Sequence, residues 1–346
     1  MYFGQGFFMS DSISVVRCLY IYLMFRTQLI PAVSPSKIDL NDSIQSLGSC
    51  FANNIGTRLK DYKFDILINP FGTLFNPSSI LKLVNQAALD EIINAAGIVK
   101  NQGVYHHYDL HSDLSHLNEE ELLSNVNDAI KEVGNRLPRT SWLIYTFGTS
   151  IVYELKETGE IVANCHKVPP KMFNRRILSI DEIVSAFRVN FDIIKSINKG
   201  AKFILTVSPV RHQKESFEQN NLSKSILRVA CQEIIDKYAD VSYFPAYEIM
   251  MDDLRDYRFY TEDMLHPNQV ATNYIWKRFQ ETYFDDEHKA FIAKWDKVLK
   301  AIAHRPINPE SEQHQLFIKK TIDMLSQFRN KVNIEPELKL LEDQLT

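Results

Sequence analysis

The sequence is poor in cysteine, has no excess of basic charge and lacks a long uninterrupted apolar run, and each shortage removes a class of protein. Its four cysteines, Cys18, Cys50, Cys165 and Cys231, are scattered and form no CxxC pair, so neither a zinc ribbon nor a disulfide framework is expected. That usage points to a reducing, cytoplasmic compartment. A net charge of −4 gives no electrostatic case for binding nucleic acid or an anionic membrane. The most apolar stretch, 13–25, is interrupted by Arg17 and is shorter than the roughly 18–20 residues that span a bilayer. The segment before it has no basic residue and carries Asp11, unlike a signal peptide. Stable membrane insertion is therefore not expected. Residues 1–23 read as a poorly defined extension, with Met24 as the expected start of the ordered chain. His106, His107, His111 and His116 lie close in sequence, but no HExxH or spaced acid/His set accompanies them, and neither metal nor cofactor is expected.

What is present is ordinary globular composition, 45% hydrophobic and 24% charged, with enough apolar material for a large core. Ile44–Leu47, Phe64–Ile68, Trp142–Phe147, Lys202–Val207 and Val241–Phe244 read as strands. Several are continuous apolar runs rather than in–out alternations, the pattern of strands buried on both faces. Helical spacing fills 51–62, 77–88, 118–136, 181–198, 214–238 and most of 268–303 and 309–346, while 151–154 and 160–163 flank a hairpin turn. Strands alternating with helices predict an α/β fold with a parallel sheet covered on both faces. Ligands of such sheets sit beyond the carboxyl ends of the strands. The polar and glycine-bearing segments 48–52, 69–73, 148–150 and 208–212, together with the loop before His266, fall at that rim.

The chemistry-bearing residues lie in these loops. Gly48 permits a tight strand-to-helix turn, and Ser49 and Cys50 follow it at a helix N-terminus, where free amides and the helix dipole stabilise an anion. A thiol there is expected to have a lowered pKa. The plainer alternative is a serine cap beside a structural cysteine. Asp263 and His266, three apart on a turn, suit a base and its orienting acid, or equally a helix-capping pair. Gly72, Gly148 and Thr149 can supply oxyanion donors, though turn chemistry explains them as well. Asn69, Asn164, His166, Lys167, Arg211 and His212 are candidates for binding substrate.

Together these segments resemble the GSCFA family, named for the string at 48–52. The resemblance is carried by FRTQLIPA at 25–32, SLGSCFANNIG at 46–56, NPFGTLFNP at 69–77, FGTS at 147–150, NCHKVP at 164–169, TVSPVRH at 206–212 and YEIMMDDLRDYRFYTEDMLHPN at 247–268, with HRPINPES at 304–311 in the tail. That family looks like a branch of the SGNH hydrolase superfamily. The resemblance implies a three-layer α/β/α sheet, SGNH/flavodoxin-like, over 24–283, and a helical extension over 284–346. It implies Cys50 where the superfamily has its nucleophilic serine, and Ser49 where it has an acid. Gly72 would stand as the second-block glycine, Gly148 and Thr149 as the third block (where asparagine is usual), and Asp263 and His266 as acid and base. A one-residue shift would make Ser49 the nucleophile. The implied activity is hydrolysis or acyl transfer on an ester or thioester of a small molecule or saccharide. The alternatives are a non-catalytic ligand- or carbohydrate-binding module on the same fold, and a scaffold whose function lies in the tail.

Overall fold

The structure is a computed structural model that describes residues 26–214 and 216–345. The apolar segment 13–25 and the expected start at Met24 lie outside the described residues. No helix among the described residues is long and apolar enough to cross a membrane.

Five parallel strands form the central sheet: β1 (Ser43–Gly48), β2 (Asp65–Ile68), β5 (Thr140–Phe147), β9 (Lys202–Val207) and β10 (Val241–Tyr243). Their spatial order is β10-β9-β5-β1-β2, the flavodoxin-like arrangement in which the chain reverses direction beside β1. The expected three-layer α/β/α sheet is what the chain forms. Strand β5 shows why an apolar run was needed. Leu143, Tyr145 and Phe147 enter one core and Trp142 and Ile144 the other, so both faces are covered.

The first core is closed by α2 (Pro77–Ala88), α3 (Glu119–Arg136), α4 (Ile180–Ile197) and α5 (Phe217–Lys237). Local sequence starts these helices where they start. Asn76 accepts from the Ser79 amide at 2.8 Å with Pro77 next to it, and Ser179 and Glu182 form a reciprocal capping box. The second core holds α1 (Cys50–Asp61), α6 (Gln269–Tyr283), α7 (Asp286–Ile302), α8 (Glu312–Ser326) and α9 (Glu335–Glu342). Trp295 of α7 is fully buried there, and its indole N–H donates to the Asp61 carbonyl at 2.9 Å. The C-terminal helices thus share a core with the helix that follows β1.

Two small antiparallel units lie outside the main sheet. A hairpin pairs β3 (Ile98–Asn101) with β4 (Val104–His107). A three-stranded sheet sets β6 (Ile151–Leu155) between β7 (Ile161–Val162) and β8 (Phe173–Ile177). The hairpin of β6 and β7 matches the sequence reading. Strand β8 was not expected, because FNRRI carries two arginines and little apolar content; it is an edge strand held by pairing with β6.

Candidate active site

All five sheet strands are parallel, so their carboxyl ends share one rim, and the turn after β1 is built tightly into it. Gly48 has φ +139°, and a Cβ there would sit 2.2 Å from the Thr146 carbonyl oxygen of β5. Only glycine fits that approach. The Gly48 amide donates to Asn69 Oδ1 at 2.8 Å, and the Ser49 amide to Thr146 O at 3.0 Å. Asn69, itself at φ +41°, also donates from Nδ2 to Asn53 Oδ1 at 2.8 Å. It is therefore a strut of the turn.

The two candidate nucleophiles have different surroundings. Ser49 is buried and caps α1, its hydroxyl accepting from the Phe51 amide at 3.3 Å. Cys50, half-buried, places Sγ 3.8 Å from His266 Nε2. On the other side of the ring, His266 Nδ1 lies 2.6 Å from Asp263 Oδ2. With Nδ1–H donating to the carboxylate, Nε2 is left as the acceptor facing the thiol. Asp263 Oδ1 also accepts from the Thr261 hydroxyl at 2.6 Å and from the amides of Leu265 (2.8 Å) and His266 (3.0 Å). These hydrogen bonds, the Thr261 hydroxyl foremost, hold the Asp263 carboxyl well below the usual carboxylate range. It is an anion at any physiological pH.

One expectation is reversed. The helix N-terminus was expected to lower the Cys50 pKa, but burial pushes it up, against the opposing pull of its own amide and of the Lys224 ammonium. The thiol rests protonated and needs a base. The amides of the three residues expected near an oxyanion have partners within the fold. The Gly72 amide donates to Asn69 O at 2.8 Å, and the Gly148 and Thr149 amides both donate to Phe75 O at 2.7 and 3.0 Å. The Cys50 amide, at the first residue of α1, is the donor beside the reacting atom.

The sequence block that contains this turn and its histidine decides the family: residues 43–279 match the GSCFA family, and residues 295–346 match the C-terminal domain of GSCFA domain proteins. The chain belongs to the GSCFA family. No curated protein matches it.

Around the GSCFA turn, the remaining expected residues fall into two groups. Arg211 and His212 lie beside the histidine loop. The Arg211 amide donates to Leu265 O at 3.2 Å, and its guanidinium lies over the rings of Phe217 (4.5 Å), Tyr260 (4.9 Å) and Tyr257 (5.5 Å), which ties the loop after β9 to the one carrying His266. The His212 ring packs edge-on against Phe75 at 5.6 Å, and burial holds its pKa down at about 4, so it is neutral. The second group belongs to the β3–β4 hairpin. His166 stacks on His106 at 4.6 Å, its Nε2 donates to His107 O at 2.8 Å, and its amide donates to Asn164 Oδ1 at 2.9 Å. Lys167 lines a groove of about 630 Å³ together with Phe75, Val162, Cys165, Val168 and Phe173. A smaller hollow of about 230 Å³ adjoins it through Phe75 and reaches Thr149 and His212. No group of three or more metal-ligating side chains occurs among the described residues.

Sequence reasoning missed the polar end of α5. Asn220, Ser223 and Lys224 occupy the same buried stripe as Leu227, Ala230, Cys231 and Ile234. Asn220 Oδ1 accepts the His212 amide at 2.9 Å, Ser223 Oγ accepts the Ser150 amide at 2.7 Å, and Lys224 Nζ donates to Ser208 O at 2.8 Å. The i, i+3, i+4 spacing of these polar residues in line with an apolar stripe was the available signal.

Proposed function

We propose that the protein is a thiol-dependent acyl hydrolase or acyltransferase acting on an ester or thioester. The observation that carries this reading is the line Cys50 Sγ–His266–Asp263, with 3.8 Å and 2.6 Å between successive partners, beside a serine whose hydroxyl is engaged as a helix cap. The resemblance to SGNH hydrolases supports it, with Cys50 in the nucleophile's position.

In this reading His266 Nε2 takes the Cys50 proton as Sγ attacks the acyl carbonyl. The C–S bond forms and the electron pair of the C=O moves to oxygen, where the Cys50 amide holds it. The C–O or C–S bond to the leaving group then breaks, and the leaving group takes the proton from His266. An acceptor hydroxyl or water gives its proton to His266 and attacks the thioester, and Cys50 leaves as thiolate and recovers that proton. Asp263 stays ionised throughout, fixing the ring and stabilising the imidazolium. The apolar groove reached past Thr149 and His212 suits the hydrocarbon part of an acyl group.

The test is a panel of acyl esters and thioesters turned over by Cys50→Ala and Ser49→Ala. Cys50→Ala should abolish turnover. Ser49→Ala should lose about 0.5–2 kcal/mol of stability as a lost cap while keeping most of the rate. The opposite pattern moves the nucleophile to Ser49. A specific observation favours a second reading, a binding module on this fold: the amides of Gly72, Gly148 and Thr149 are already engaged, and the thiol rests protonated. Iodoacetamide labelling of Cys50 no faster than that of Cys165, unchanged by His266→Ala, would support that module.

A further inference from the structure

The groove of about 630 Å³ has an apolar wall and two cations. Phe75, Val162, Val168 and Phe173 line it, together with Lys167 and Lys214, both exposed, and no aspartate or glutamate among the described residues does so. Neither lysine pairs with a carboxylate among the described residues; Lys214 Nζ lies 5.0 Å from the centre of the Tyr153 ring, which is part of the same wall. The hollow of about 230 Å³ shares Phe75, Val162 and Lys214 with the groove and reaches Thr149 and His212. Lys214 therefore stands where the two spaces meet, and Lys167 in the larger one alone. The link to the nucleophile turn is short. The Leu74 amide donates to the Gly48 carbonyl at 2.9 Å, and the next residue, Phe75, lines both spaces. Lys167 is set at the groove by a constrained loop. His166 and Lys167 are consecutive left-handed residues, at φ +47° and +59°, a costly backbone that persists only where its surroundings fix it. Asn101 Nδ2 donates to His166 O at 2.8 Å, His166 Nε2 to His107 O at 2.8 Å, and the Val168 amide to Cys165 O at 2.9 Å, which ties the loop to the β3–β4 hairpin.

We infer that this groove binds an anionic amphiphile, an apolar chain lying along Phe75, Val162, Val168 and Phe173 with a carboxylate or phosphate held by Lys167 and Lys214. Charge complementarity selects that occupant. An apolar trough alone accepts any hydrocarbon of the right size, and the volume suits a small molecule. Two ammonium groups without carboxylate partners, on a chain whose net charge is −4, add a preference for an anion. The apolar wall keeps water from one side of that anion and strengthens its attraction to the lysines. For the acyl chemistry proposed above, the non-reacting end of the substrate carries the anion, with the reacting carbonyl on the side of Thr149 and His212. That placement within a substrate rests on Cys50 as the nucleophile; binding of the amphiphile does not.

The test is isothermal titration calorimetry on the full chain carrying Cys50→Ala, with octanoate, octyl phosphate and uncharged 1-octanol as ligands. At least one of the two anions should bind about tenfold or more tighter than 1-octanol. Adding Lys167→Gln and Lys214→Gln should remove that preference and leave the affinity for 1-octanol unchanged. The tighter of the two anions identifies the head group, carboxylate or phosphate. Binding of 1-octanol as tight as that of both anions overturns the inference. So does a preference for the anion that survives loss of both lysines, or the absence of binding by all three ligands. The measurement needs no turnover, so its failure leaves the acyl-transfer reading standing, and an unreactive Cys50 leaves the selectivity of the groove standing.

Discussion

At Gly48 the backbone sits at φ +139° and a methyl group would meet the Thr146 carbonyl at 2.2 Å, so Gly48→Ala carries both a dihedral and a steric penalty. Chemical denaturation should show a loss of more than about 2 kcal/mol, with Cys50 labelling altered because the turn that aims it has moved. Lys224 has the opposite sign. Its folded-state value of about 7 lies below the ordinary 10.5, so between those values the unfolded chain binds the extra proton and stability rises with pH. Lys224→Met removes that cost. It should stabilise the protein by about 1–4 kcal/mol below pH 7, with the gain fading as pH approaches 10.5, measured as denaturation midpoints across pH. Gly48, Cys50, Asp263 and His266 were legible in the sequence because each sits in a short local pattern. Lys224 was not, because what defines it, burial beside the Ser208 carbonyl, arises only once α5 packs against the sheet.

At the scale of elements, the loop 257–268 works as a unit. Met264 adopts φ +59°, the Thr261 amide donates to His266 O at 2.8 Å, and Asn268 both caps α6 and donates to Arg258 O at 2.7 Å. Asp263 is the centre of that network as well as the partner of His266. Asp263→Asn should lower kcat/KM by about 10²–10⁴, because an amide can present an N–H to Nδ1 and favour the wrong tautomer. Its depressed carboxyl is ionised at all working pH, so Asp263 itself should contribute no acid limb to the rate profile. Apolar runs and caps made the sheet strands and most helices readable. The edge strand β8 was not, since FNRRI has no apolar alternation and owes its conformation to β6. Glycine signals a turn at 72 and 148, but not that the N–H groups of both turns are already engaged, as they are here.

At the scale of the whole molecule, the C-terminal helices complete the second core. Trp295, Phe291 and Val298 of α7 share it with Ile55 and Leu59 of α1, the helix that carries Cys50. Lys63, just after α1, pairs with Glu337 of α9 at 2.7 Å. Trp295→Ala should cost about 3–5 kcal/mol and change Cys50 labelling only near its own unfolding transition. Labelling slowed far below that transition would show that the tail tunes the site directly. The arrangement as a whole, a parallel sheet whose rim assembles residues from five segments, is consistent with acyl chemistry at one sulfur. The most direct measurement of that claim is mass spectrometry of the quenched protein after exposure to an activated thioester. An acyl adduct is expected on the peptide containing Cys50, retained in Ser49→Ala and absent in Cys50→Ala; an adduct on Ser49, or none with any acyl donor, would rule out acyl chemistry at this sulfur.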